Sequence, residues 1–113
     1  MEFATALEGA KVVCVMGHTS CGAVKGAISG AKMGNLTGLL AKVRPAVAAT
    51  PFNGEKSDKN MAYVDAVART NVALTVGSIR KQSKVMATLE KEGKIRIVGA
   101  MYDLGTGAVD FFM

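Results

Sequence analysis

The sequence predicts an α/β fold, a small mixed sheet of parallel strands plus a carboxyl-terminal hairpin, flanked by helices. Three observations predict it. "KVVCVM" (Lys11 to Met16) is a short β-branched apolar run, the signature of a buried strand. The middle of the chain repeats apolar residues at helical spacing. "KIRIVGAMYDL" (Lys94 to Leu104) is a second strand, and "GTG" followed by "AVDFF" is a tight turn with a return strand.

Taken in order, "EFATALEG" reads as the end of a helix stopped by Gly9. After the first strand come Gly17 and His18 at its carboxyl end. Thr19 and Ser20 are good N-caps, so a helix is expected to open near Cys21 and run through "GAVKGAISGAK". Gly22, Gly26 and Gly30 recur every four residues, which points to close packing on a neighbour. "GNLTGLLAKVRPAVAAT" predicts a second helix, kinked or ended by Pro45. "PFNGEKSDKN" is the clear loop. A long helix is expected from Ser57 or Asp58, with Val64, Ala68, Val72, Val76 and Ile79 on one stripe and Gly77 and Ser78 as an interruption. "SKVMATLEKEG" predicts a further helix, capped by Ser83 and closed at Gly93.

The 113 residues fit one domain. Half are hydrophobic, which is rich for so short a chain. A domain of this size buries only about two-thirds of its unfolded surface, so apolar surface is left over for a partner subunit, and a homo-oligomer is expected. The formal charge is +5, but the basic residues are scattered and the six aromatics do not interleave with them. That pattern is a solvated surface rather than a nucleic-acid interface. No apolar run reaches the ~18 residues of a membrane helix, and the first residues lack the plan of a signal peptide. The two cysteines therefore read as reduced thiols or metal ligands in a cytoplasmic protein.

Both cysteines and the sole histidine fall in "VVCVMGHTSCGAVKGAI". His18 lies at a strand's carboxyl end, where open α/β sheets place ligands. Cys21 lies at a helix N-terminus, whose positive potential favours thiolate. An imidazole and a thiolate three positions apart across such a turn can both reach one zinc ion. Two ligands do not hold zinc tightly, however, and a satisfied histidine beside a quiet thiol remains an open alternative. Cys14, in mid-strand, reads as a small core hydrophobe.

The same stretch resembles the second zinc-ligand segment of the β-class carbonic anhydrases, in which a strand ends in Gly-His-x-x-Cys-Gly-Ala. "EFATALEGAKV" looks like that family's preceding helix, "GLLAKVRPAV" like its middle helices, and "EGKIRIVGAMYDLGTGAVDFF" like its closing strand and hairpin. The resemblance implies one domain over residues 1–113, incomplete at its amino-terminal side. It implies zinc as cofactor with His18 and Cys21 as metal ligands, and reversible hydration of carbon dioxide to bicarbonate. Family members also carry an earlier strand with Cys-x-Asp-x-Arg, holding a further zinc ligand and an Asp-Arg dyad. No residue here corresponds to it. The ligand set is incomplete, so the catalytic residues are left unassigned. The zinc is expected to be weakly held or shared between chains.

The alternative is a non-catalytic family member acting as an oligomeric binding or assembly module, with a structural metal or a bound small anion. The turn from Gly17 to Gly22 could bind such an anion through its N–H groups, and a redox-active Cys21 is a further reading. Without the earlier strand, the strand at Lys11 to Met16 becomes a bare apolar edge that recruits another chain. Other residues take structural readings. Tyr102 and Asp103 belong to the hairpin, with Asp103 capping the turn around Gly105. The methionines fill gaps in the core. Asp65 and Arg69, one helical turn apart, form a surface pair.

Overall fold

The computed structural model describes residues 1–112. A π-helical turn at Phe3–Leu7 leads into strand β1, Val12–His18. Four helices follow: α1 (Gly22–Ser29), α2 (Gly34–Ala49), α3 (Met61–Gln82) and α4 (Lys84–Lys91). Strands β2 (Arg96–Tyr102) and β3 (Val109–Phe111) complete a three-stranded sheet of order β1-β2-β3. β1 and β2 are parallel, and β3 returns antiparallel to β2. No helix among the described residues is long and apolar enough to cross a membrane.

The expected α/β architecture with a mixed sheet is therefore present, and its organising element is α3. Its stripe Val64, Ala68, Val72, Val76 and Ile79 is buried throughout. Gly77 and Ser78 do not interrupt it, because the apolar face on either side is continuous with the core. One end packs with Val24, Leu40 and Ala46, and the other with Met86, Ile95 and Ile97. The helix begins at Met61 rather than Ser57, since the Ser57–Asn60 segment forms a separate turn closed by Asn60 N–H on the Ser57 carbonyl. Pro45 neither ends nor splits α2, which runs on to Ala49.

α1 ends at Ser29, short of the expected run through Lys32, because Gly30 takes the left-handed conformation (φ 75°) of a C-terminal glycine. Two local signals hold. Ser83 Oγ accepts from Met86 N–H at 3.2 Å. Asp103 Oδ1 accepts from Gly105 N–H at 2.8 Å, the expected turn cap. Of the four-residue glycine series, only Gly26 sits against a neighbour. A Cβ there would lie 3.1 Å from Leu40 Cδ1, whereas Gly22 has nothing within 4 Å.

The sheet is covered on one face only. Val13, Val15, Ile97 and Met101 point toward the helices. Val12 (59% exposed), Met16 (51%) and Phe111 (63%) lie on the other face. Cys14 falls in that outward row and is exposed, which corrects its reading as a core hydrophobe. The β-branched run looked buried on both sides, but no described element covers its second side. The methionines divide in the same way. Met86 and Met101 are core residues, whereas Met1, Met16, Met33 and Met61 are exposed; Met113 lies outside the described residues. β1 is also the edge of the sheet, as expected.

At Gly17, β1 and α3 approach closely. A Cβ at this position would sit 2.9 Å from both Met101 Sδ and Val72 Cγ2. Gly17→Ala is expected to lower stability by about 1–3 kcal/mol, the range for overpacking a filled core; urea denaturation measures it. A second prediction concerns the α3–α4 pair. Arg80 grips Glu90 with two hydrogen bonds, Nε to Oε1 at 2.7 Å and a second nitrogen to Oε2 at 2.8 Å. These bonds hold the Glu90 carboxyl below its ordinary value, against a smaller opposing effect of burial. A lowered folded-state value means the stabilisation is present above the unfolded carboxylate range and is lost as pH falls through the folded one. Glu90→Gln is therefore expected to be less stable than the parent at neutral pH, and the two denaturation curves should converge in acid.

Candidate metal centre

β1 continues two residues past the expected strand, because Gly17 and His18 pair with Met101 and Tyr102 of β2. His18 is thus the last strand residue, and Cys21 is the N-cap of α1. Thr19 and Ser20 do not cap the helix as expected. Their polar groups are used across the fold instead. Thr19 N–H donates to the Tyr102 carbonyl at 3.0 Å, and Thr19 Oγ1 accepts from Leu104 N–H at 3.0 Å. Ser20 N–H donates to Asp65 Oδ1 on α3 at 3.0 Å.

His18 and Cys21 line one cavity of about 170 Å³ between the end of β1 and α3. Its walls include Val15, Val24 and Val72, with Asn71 and Thr75 as the polar groups contributed by α3. His18 Nδ1 lies 2.8 Å from the Thr19 carbonyl oxygen. A carbonyl only accepts, so this hydrogen bond places the proton on Nδ1. The neutral ring then carries its lone pair on Nε2, the arrangement of a metal-ligating histidine whose other nitrogen is held by the backbone.

Cys21 is a free thiol, half-buried, with no side-chain capping bond to occupy it. An imidazole nitrogen and a thiolate suit zinc. Two donors are half of a tetrahedral set. Among the described residues, no cluster of three or more His, Cys, Asp or Glu side chains is placed to hold a metal. Asn71 and Thr75 offer neutral oxygens, which are weak partners for zinc. The residues present therefore fit zinc in kind and fall short in number. Cys14 adds nothing, since it lies in the outward row of β1.

The turn is poorly suited to an anion. The N–H groups of Thr19 and Ser20 are already bonded, and the Asp65 carboxylate stands against the turn. Asp65 does not pair with Arg69 as the helical spacing suggests. Arg69 instead bonds Asp110 at 2.8 Å, and its guanidinium lies 4.2 Å from the centroid of the Phe112 ring, tying the hairpin to α3. Nothing local marks Asp65, because its partner is 45 residues away in the chain.

Comparisons with known proteins establish the family. The family model described as carbonic anhydrase matches residues 1–109. A carbonic anhydrase of Pseudomonas aeruginosa is 30% identical over 111 residues, covering 97% of this chain and 50% of that protein. The chain spans about half the length of the curated relatives it matches. The β-carbonic anhydrase CafA of Aspergillus fumigatus superposes with a TM-score of 0.79 at 24% identity, over 98% of this chain and 52% of that one. A tetrameric β-carbonic anhydrase of Sordaria macrospora superposes with a TM-score of 0.78 at 20% identity, over 98% and 56%. These likenesses cover nearly the whole chain, and the chain belongs to the β-carbonic anhydrase family.

Proposed function

We propose that this chain is a zinc-binding part of a carbon dioxide hydratase, with His18 Nε2 and Cys21 Sγ as two of the metal's ligands. The observation that carries this reading is that both groups line one cavity while the Thr19 carbonyl keeps Nδ1 protonated. Zinc, when bound, supplies a Lewis acid that makes water acidic enough to react with carbon dioxide near neutral pH. The residues of this chain hold and orient. The Thr19 carbonyl fixes the His18 ring, the turn presents Cys21 beside it, and Val15, Val24 and Val72 exclude water from the apolar side. Two ligands leave the set incomplete. The remaining donors must come from elsewhere, such as a Cys-x-Asp-x-Arg strand or a second copy of the chain. The cytoplasm, where thiols stay reduced, suits two free cysteines.

A second reading, an oligomeric assembly module without turnover, is favoured by the bare sheet. β1 is an edge strand, and its outward row is apolar. Such edges pair with other chains unless something blocks them, so a homodimer or larger assembly belongs to both readings.

Metal content and a carbon dioxide hydration assay on purified protein separate the two. Near-stoichiometric zinc with activity is expected of the hydratase, half a mole per chain without activity of a shared structural ion, and none of the module. His18→Ala and Cys21→Ser are each expected to abolish zinc retention, and on the module reading both variants still assemble. Sedimentation at micromolar concentration should show a dimer or larger species; a well-behaved monomer would remove the assembly argument.

A further inference from the structure

We propose that Asp65 is a positioning residue for the His18–Cys21 turn, its carboxylate holding Ser20 N–H and with it the placement of Cys21 relative to His18. This rests on the reading of those two residues as metal ligands. The four residues from His18 to Cys21 are anchored from two directions. β2 and the hairpin hold Thr19, through the Tyr102 carbonyl and Leu104 N–H, both at 3.0 Å. That fixes the His18 side, because the imidazole bonds the Thr19 carbonyl. Cys21 has its own ties to α1 and the core, its carbonyl accepting from Lys25 N–H at 3.0 Å, and the backbone bond that ties its side of the turn to α3 is at Ser20.

Ser20 has φ 53°, and it is the sole described non-glycine residue with positive φ. A side chain in that region is strained by about 1–2 kcal/mol. Strain of this kind persists where the surroundings over-determine it. Here the Asp65 bond at 3.0 Å supplies the restraint, and it comes from α3. The same helix forms the far wall of the His18–Cys21 cavity through Asn71 and Thr75. One bond therefore sets both the shape of the turn and its distance from α3. Asp65 itself faces a different hollow, beside Arg69 and Asp103, and does not line the cavity. It acts on the ligands through the backbone.

The test uses the whole chain, with cobalt(II) as a visible probe of the metal site. Asp65→Ala is expected to weaken cobalt(II) binding by about tenfold or more, the usual effect of removing a partner that orients ligands, and to alter the thiolate-to-cobalt absorption band. Asp65→Asn keeps an oxygen acceptor and is expected to restore both. Asp65→Ala binding cobalt(II) as the parent does, or Asp65→Asn failing as badly as Asp65→Ala, overturns the proposal. A parent chain that ignores cobalt(II), no better than His18→Ala, sinks the metal reading instead. Amide exchange at Ser20 then decides the role of Asp65. Protection lost in Asp65→Ala and kept in Asp65→Asn supports the latch, and unchanged exchange overturns it.

Discussion

The parallel pairing of β1 with β2 is the constraint on which the rest depends. Parallel neighbours cannot be joined by a tight turn, so the chain between them must cross over the sheet. That crossover is α1 to α4, and it places α3 against both strands. The pairing sets His18 beside Tyr102, and the Tyr102 carbonyl then receives Thr19 N–H. The site is thus a product of strand register. A one-residue slip of β1 would turn His18 to the opposite face and break the Thr19 anchors.

α3 joins packing to chemistry. Its apolar stripe welds the two halves of the core, while the adjacent positions Asp65, Asn71 and Thr75 face the turn and the cavity. The helix cannot shift to relax the turn without disturbing Val64, Val72 and Val76, all of them fully or nearly buried. Gly17 enforces the same intimacy from the strand side, because a methyl group there meets Val72 and Met101. A closely packed apolar wall of this kind suits a site whose ligands must be held at fixed separation.

Much of this was legible in the residues. Strand, helical stripe, hairpin, the Ser83 cap and the Asp103 turn all rest on signals within a few positions of one another, and all are found. The His-x-x-Cys spacing likewise placed both groups at the junction of strand and helix. What escaped were features set by distant partners. Thr19 and Ser20 have the chemistry of caps, yet their bonds run to residues up to 85 positions away. Asp65 and Arg69 have the spacing of a helical pair, yet each finds a better-placed partner across the fold. Cys14 failed for another reason. Its neighbours read as a strand buried on two sides, and burial on the second side depends on a layer that no described element provides.

That bare side bears on the site itself. The cavity takes Val15 and Gly17 from the covered face of β1, and Met16 and His18 from the open one. It therefore lies at the carboxyl end of the edge strand. On the proposed reading, a chain pairing with that edge would bury the outward apolar row and bring new side chains to the two donors already there. Assembly and metal binding would then be linked, and linkage is reciprocal. Whatever factor a docked chain adds to metal affinity, the metal adds to docking. The incomplete ligand set and the unprotected edge thus become one problem with one solution, met by any strand that reaches β1 carrying the right donor.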